Sequence, residues 1–216
     1  MGAMYVPTHF AATEDQLRGL LSSIQAVDLI SPGPAGLVAT FLPVLYDPTS
    51  GAHGALLCHV ARTNEHWRAA GTEAESLVIV RGPDGYVSPS SYPSKQEHGR
   101  VVPTWNYLTA HVYGRLVAHQ DSEWLRNLVT RLTERHEAGS PRPWQVSDAP
   151  AAYVNGQLRA IVGLELQITR IQAKAKLSQN RSEADRVGVH EALLSRADTA
   201  GGAGPAALAR AMEPLA

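Results

Sequence analysis

Four stretches of this chain gather side chains suited to an anion or a flat polar ring. The first is His59-Val60-Ala61-Arg62-Thr63-Asn64-Glu65-His66-Trp67. On a strand, His59 and Ala61 share a face. Arg62 then falls beside the start of a short helix, where free amides and the dipole favour negative charge. An arginine among such amides suits a phosphate, and the same residues also serve as an ordinary helix cap. His59 and His66 are the candidate ligands for a haem iron, although a lone strand histidine is more often a hydrogen-bonded core residue. The second stretch, Ser88-Pro89-Ser90-Ser91-Tyr92-Pro93-Ser94-Lys95, sets hydroxyls and a lysine on a proline-stiffened loop. In the third, Pro103-Thr104-Trp105-Asn106-Tyr107, two aromatics alternate with a hydroxyl and an amide, a good wall for a heteroaromatic ring. The fourth, Lys174-Ala175-Lys176-Leu177-Ser178-Gln179-Asn180-Arg181, holds three cations and three polar side chains.

Other chemistries are missing from the sequence. It contains no G-x-G-x-x-G, no G-x-x-x-x-G-K-[ST], no G-x-S-x-G and no H-E-x-x-H. No pair of carboxylates stands out for acid–base work. Cys58 is the single cysteine, which excludes an intramolecular disulfide and a cysteine-rich zinc site. It lies in the apolar run Ala55–Val60 and reads as a small buried hydrophobe.

The 216 residues carry 19 basic and 20 acidic side chains, for a net charge of −1. A nucleic-acid-binding domain ordinarily shows a basic excess or stripe. No stretch reaches the roughly 18 consecutive apolar residues of a membrane span. The N-terminus lacks a secretory pattern, so the expected compartment is the cytoplasm.

These clusters need elements to hold them. Thr13 to Gln16 fits a capping box, and Leu17, Leu20, Leu21 and Ile24 follow at helical spacing, predicting a helix over 14–24. Residues 37–46, interrupted by Pro43, and 55–60 read as the two arms of a hairpin around Asp47–Gly51. Asn64 or Thr63 caps a short helix carrying Trp67. Residues 77–80 form a buried strand that ends at Gly82-Pro83-Asp84-Gly85 and resumes at Tyr86–Ser88. A polar loop follows to Gly99, then a long strand over 105–118 with a bulge or bend at Gly114. Asp121 or Ser122 caps a helix with a stripe of Trp124, Leu125, Leu128, Val129 and Leu132. A further helix starts at Pro150. Residues 162–169 alternate as a half-buried strand that turns Glu165 away from the apolar side, toward solvent or a subunit contact. Ser182 caps a last helix to Leu194. From 196 to 216 the Ala- and Gly-rich chain reads as a tail, frayed or loosely helical. The order is not the strand–helix alternation of a doubly wound sheet and suits an antiparallel barrel with helices outside.

Taken in order, these words resemble the PaiB family of FMN-binding negative transcriptional regulators. The resemblance runs from Met4-Tyr5-Val6-Pro7 through His59-Val60-Ala61-Arg62-x-Asn64, Gly82-Pro83, Tyr86-Val87-Ser88-Pro89-Ser90, Tyr92-x-Ser94-Lys95, Val102–Tyr107 and His111-Val112 to Lys176–Arg181. It spans about residues 4–195 as one domain. It implies an α+β, mostly β, split β-barrel like that of pyridoxamine-phosphate oxidase-like flavoproteins, a homodimer, and FMN at the subunit interface. On that basis Arg62, Lys95 and Lys176 are expected as phosphate or ribityl partners. Thr40, His59, Asn64, Ser88, Trp105, Asn106, Ser178 and Gln179 are expected as lining. Ser91 stands where the family loop usually has Trp, and Gln172-Ala173 where it often has Glu-Gly.

Two function classes follow. One is a flavin-dependent sensor that lowers gene expression, with DNA as a possible partner that the net charge does not support. The other is a flavin or haem oxidoreductase on a small molecule, as in the similar piperazate synthases, which use haem to form an N–N bond.

Overall fold

A computed structural model describes residues 4–71, 74–200 and 203–213. Seven strands make one antiparallel sheet, β1 Ala26–Gly33, β2 Gly36–Pro43, β3 Leu45–Asp47, β4 Ala55–Ala61, β5 Ser76–Val87, β6 Thr104–His119 and β7 Ile161–Lys176. Their order in the sheet is β2-β1-β5-β6-β7-β4-β3. The helices are α1 Glu14–Ser23, α2 Ser94–His98, α3 Ser122–Glu137, α4 Ala151–Arg159, α5 Glu183–Ala200 and α6 Ala203–Met212. This is the α+β class expected, although helices and strands take nearly equal shares of the chain.

Local chemistry explains most boundaries. The capping box forms as predicted: Thr13 N donates to Gln16 Oε1 at 3.0 Å and Gln16 N to Thr13 Oγ1 at 3.2 Å. Asp121 caps α3, accepting from the backbone of Glu123 and Trp124. Three differences from the sequence reading have physical causes. The strand expected over 37–46 breaks at Val44, whose N–H bonds Gln25. Only its end, β3, forms the hairpin with β4, while β2 pairs in full with β1, a strand that Asp28, Ser31 and Pro32 disguise. The turn expected at Gly82–Gly85 is absent, and β5 runs straight through it. Gly82 is there because a Cβ would lie 2.9 Å from Leu108 O. Finally, β7 continues to Lys176, so the fourth cluster begins inside a strand and not in a loop.

The chain forms two compact units. One comprises residues 21–80 and 111–171. Its core joins Leu45, Ala55 and Leu57 to Leu128 and Leu132 of α3, and a second cluster joins Leu125 to Val154 and Leu158 of α4. The other comprises residues 1–20, 81–110 and 172–216. In it Val87, Leu108, Ala175, Leu177, Val189 and Leu193 are buried. Helix α5 passes the boundary expected at 195, and α6 buries Leu208, Ala209 and Met212.

Candidate functional site

In the unit of residues 1–20, 81–110 and 172–216, three of the four clusters meet. The start of β6 supplies Thr104 and Asn106, the end of β7 supplies Lys176, and the turn after it supplies Ser178, Asn180 and Arg181. These six line one small cavity of about 50 Å³. Asn106 is fully buried, and its Nδ2 donates to Ser178 Oγ at 2.9 Å. Ser178 holds φ 69°, the only described non-glycine residue in the left-handed region. Gln179 ties that turn rather than facing a ligand: its Oε1 accepts from Leu177 N at 2.7 Å.

Lys176 Nζ donates to Trp105 O at 2.7 Å and to Thr104 Oγ1. Burial pushes its pKa below the ordinary lysine value, and the charges of Lys174 and Arg181 push it further the same way. No carboxylate acts in the opposite direction. Arg181 also lies over the Tyr92 ring at 4.8 Å, and Lys174 Nζ donates to Tyr5 O at 3.1 Å. The result is a cationic recess with no carboxylate among its lining residues. It has room for one oxyanion-sized group and not for a tricyclic ring.

Around it, Trp105 is half exposed, donates Nε1–H to Asp84 Oδ1 at 2.8 Å, and tilts against Tyr86 with ring centroids 6.4 Å apart. The second cluster is held by α5. Asp185 accepts from Ser94 N at 3.1 Å and from Ser94 Oγ at 2.8 Å. A Cβ on Gly188 would lie 2.3 Å from Ser91 O. Ser88 caps the turn Pro89–Ser91, and Lys95 is exposed with Nζ 3.4 Å from Ser90 Oγ.

The first cluster belongs to the other unit, and much of it is consumed by the fold. His66 is buried, with Nδ1 2.8 Å from Thr40 Oγ1 and Nε2 2.8 Å from Ser31 Oγ. Both ring nitrogens are engaged, which leaves none for a haem iron. Ser31 in turn meets Ser76 Oγ at 2.7 Å. Asn64 accepts from His66 N at 3.0 Å and so acts as a cap. Arg62 donates from Nε to Arg159 O, from Nη1 to Gln120 Oε1 and from Nη2 to Ile161 O. His59, opposite Gly163 in the sheet, is half-buried, and its Nδ1 is buried without a hydrogen-bond partner. Burial holds its pKa below the usual histidine value. Glu165, expected in solvent or at a subunit contact, instead accepts from His119 Nε2 at 2.8 Å and from Ser50 Oγ at 3.2 Å.

Sequence reasoning singled out Asn106, Lys176 and Ser178 but left Thr104, Asn180 and Arg181 out of the site, though each stands in a stretch it had marked. Ser31 carried no signal, because its partner is 35 residues away.

Comparisons with known proteins agree with this architecture. The family model described as "Putative FMN-binding domain" matches residues 4–170. A Bacillus subtilis protein named Protease synthase and sporulation protein PAI 2 is 29% identical over 191 residues, 88% of this chain and 89% of that one. An uncharacterized protein of Emericella nidulans is 40% identical over 126 residues, 53% of this chain, and the match spans half of that protein's length. Among solved structures, the FAD and haem binding protein from Mycobacterium smegmatis superposes with a TM-score of 0.53 at 17% identity, covering 81% of this chain and 77% of that one. The fold is therefore that of the split-barrel flavin-binding proteins, and the chain belongs to the PaiB-type family of FMN-binding domains.

Proposed function

We propose that this chain is a flavin-dependent sensor that holds FMN by its phosphate in the recess of Thr104, Asn106, Lys176, Ser178, Asn180 and Arg181, pairs with a second copy, and lowers expression of target genes. The observation that carries the flavin site is the pairing of Lys176 and Arg181 with hydroxyl and amide donors in a recess that no carboxylate lines. A phosphate monoester dianion supplies negative charge and accepts from several of these groups at once. Trp105, half exposed, offers an aromatic face to the ring. Bound FMN supplies reversible electron transfer at its isoalloxazine. Pairing is supported by β2, which exposes Leu37 (79%), Val38 (38%) and Phe41 (72%) on a sheet edge.

The test is the flavin content of the purified protein. Absorption bands near about 370 and 450 nm mark flavin, and one intense band near about 400 nm marks haem. Lys176→Ala and Asn106→Ala should each weaken FMN binding by about tenfold or more, as expected for losing a charged or buried donor. Unchanged binding in both removes the recess from the flavin site. A haem oxidoreductase is the second reading, favoured by the neutral imidazole of His59 with its unpartnered nitrogen. In that case His59→Ala abolishes the band near about 400 nm. The regulatory output predicts salt-steep DNA binding by the FMN-loaded protein. Binding that ignores salt, or none at all, turns the assignment toward an enzyme.

A further inference from the structure

The unit of residues 21–80 and 111–171 contains a separate cleft of about 620 Å³ lined by Arg62, Gln120, Ser122, Leu125, Asn155, Leu158 and Arg159. That volume suits a drug- or nucleotide-sized molecule. Both of its side-chain amide oxygens are already engaged by arginines. Gln120 Oε1 accepts from Arg62 Nη1 at 2.7 Å. Asn155 Oδ1 accepts from Arg126 Nη2 at 2.6 Å. Each amide is therefore oriented by an arginine and has its NH₂ left to donate to a ligand.

The guanidinium of Arg62 is fixed by three neutral oxygens, Arg159 O at 2.8 Å, Ile161 O at 3.0 Å and Gln120 Oε1. It retains spare N–H groups and its full charge. The Arg159 side chain has no hydrogen-bond or ion-pair partner among the described residues. No lining residue is a carboxylate. The nearest in sequence, Asp121, is not among the lining residues and turns Oδ1 to the backbone N–H groups of Glu123 and Trp124. Beneath the polar rim lie Leu125 and Leu158, both buried. The wall thus offers two guanidinium groups, two amide donors and one hydroxyl over an apolar floor.

From this we infer that the cleft is a second binding site, for a small oxyanion ester or carboxylate that carries an apolar or aromatic body. Donors fixed in advance by neutral acceptors reward charge on the ligand, because no protein carboxylate competes for it. The leucine floor takes the body, and a bare inorganic anion leaves it uncovered. The site is distinct from the recess given to the FMN phosphate and does not depend on flavin being the cofactor.

The experiment titrates the full chain, as purified, with phenyl phosphate, benzoate and inorganic phosphate by calorimetry, while flavin absorbance is followed separately. Phenyl phosphate is expected to bind with a stoichiometry of one per chain and at least tenfold more tightly than inorganic phosphate, with benzoate also ahead of it. Arg159→Ala should weaken phenyl phosphate about tenfold. Asn155→Asp, which keeps the volume and the Arg126 contact but adds a negative charge, should weaken it further. Neither variant should change flavin content. Absence of binding up to tens of millimolar, or equal affinity for all three probes, overturns the inference. So does loss of flavin in either variant or release of flavin by phenyl phosphate, since the cleft would then belong to the cofactor. A failed flavin assignment is separable, because it shows in the spectrum and leaves the titration untouched.

Discussion

Among single residues, Lys176 is the most informative. Its ammonium is half-buried beside two other cations, no carboxylate lines the recess around it, and its pKa lies below the ordinary lysine value. A bound dianion favours the charged form, so FMN should bind less tightly as pH rises through that lowered pKa. Fluorescence titration across alkaline pH measures this. Lys176→Arg should flatten the profile, because a guanidinium does not titrate there. An identical slope in the variant would assign the pH dependence elsewhere. Cys58 gives the opposite case. Full burial pushes its thiol up to about 12, so iodoacetamide at mildly alkaline pH should label the chain only after denaturation. The apolar run around Cys58 made that legible from sequence. The partners of His66 were not legible, since Thr40 and Ser31 reach it through sheet pairings that a linear reading does not contain.

At the scale of elements, Gly163 of β7 shows how a strand fixes a helix. A Cβ there would lie 2.1 Å from Trp124 Cζ3, and Trp124 cannot retreat because it stacks on His119 at 4.0 Å and 7°. Gly163→Ala should therefore destabilise the protein by about 1–3 kcal/mol, an overpacking cost that chemical denaturation would register as a lower midpoint. Wild-type stability in that variant would mean that α3 adjusts freely. The helix stripe of α3, its Asp121 cap and the long strand β6 follow directly from periodicity. The course of β5 does not. Gly82-Pro83-Asp84-Gly85 has the composition of a turn, yet the demand for a close approach to Leu108 keeps it extended. Tertiary packing overrode local propensity at that point.

For the whole molecule, three partly or fully buried histidines, His59, His66 and His111, have pKa values lowered by burial. Below about pH 6.5 the unfolded chain takes up protons that the folded one refuses. Stability is then complete above that value and declines as pH falls toward the folded pKa values. Thermal melts from pH 8 to 5 should show a plateau and then a drop, shallower in His66→Gln. A melting temperature that climbs on acidification would contradict the buried, neutral imidazoles. Assembly is tested on the same preparation. The proposed pairing through β2 predicts that the chain sediments as a dimer and Phe41→Glu, on its exposed edge, as a monomer, and equal sedimentation of the two would remove β2 as the pairing surface.

The left-handed backbone of Ser178 has a consequence for anyone evolving this protein. A glycine there would sit more comfortably by the order of a kilocalorie per mole, yet it would remove the hydroxyl that receives Asn106 Nδ2. Libraries screened for heat resistance should therefore keep serine at 178, because an unpaired amide on fully buried Asn106 costs about 1–3 kcal/mol, more than the relaxed backbone returns. Glycine at 178 should appear only alongside an apolar replacement of Asn106, which removes both ends of the buried bond.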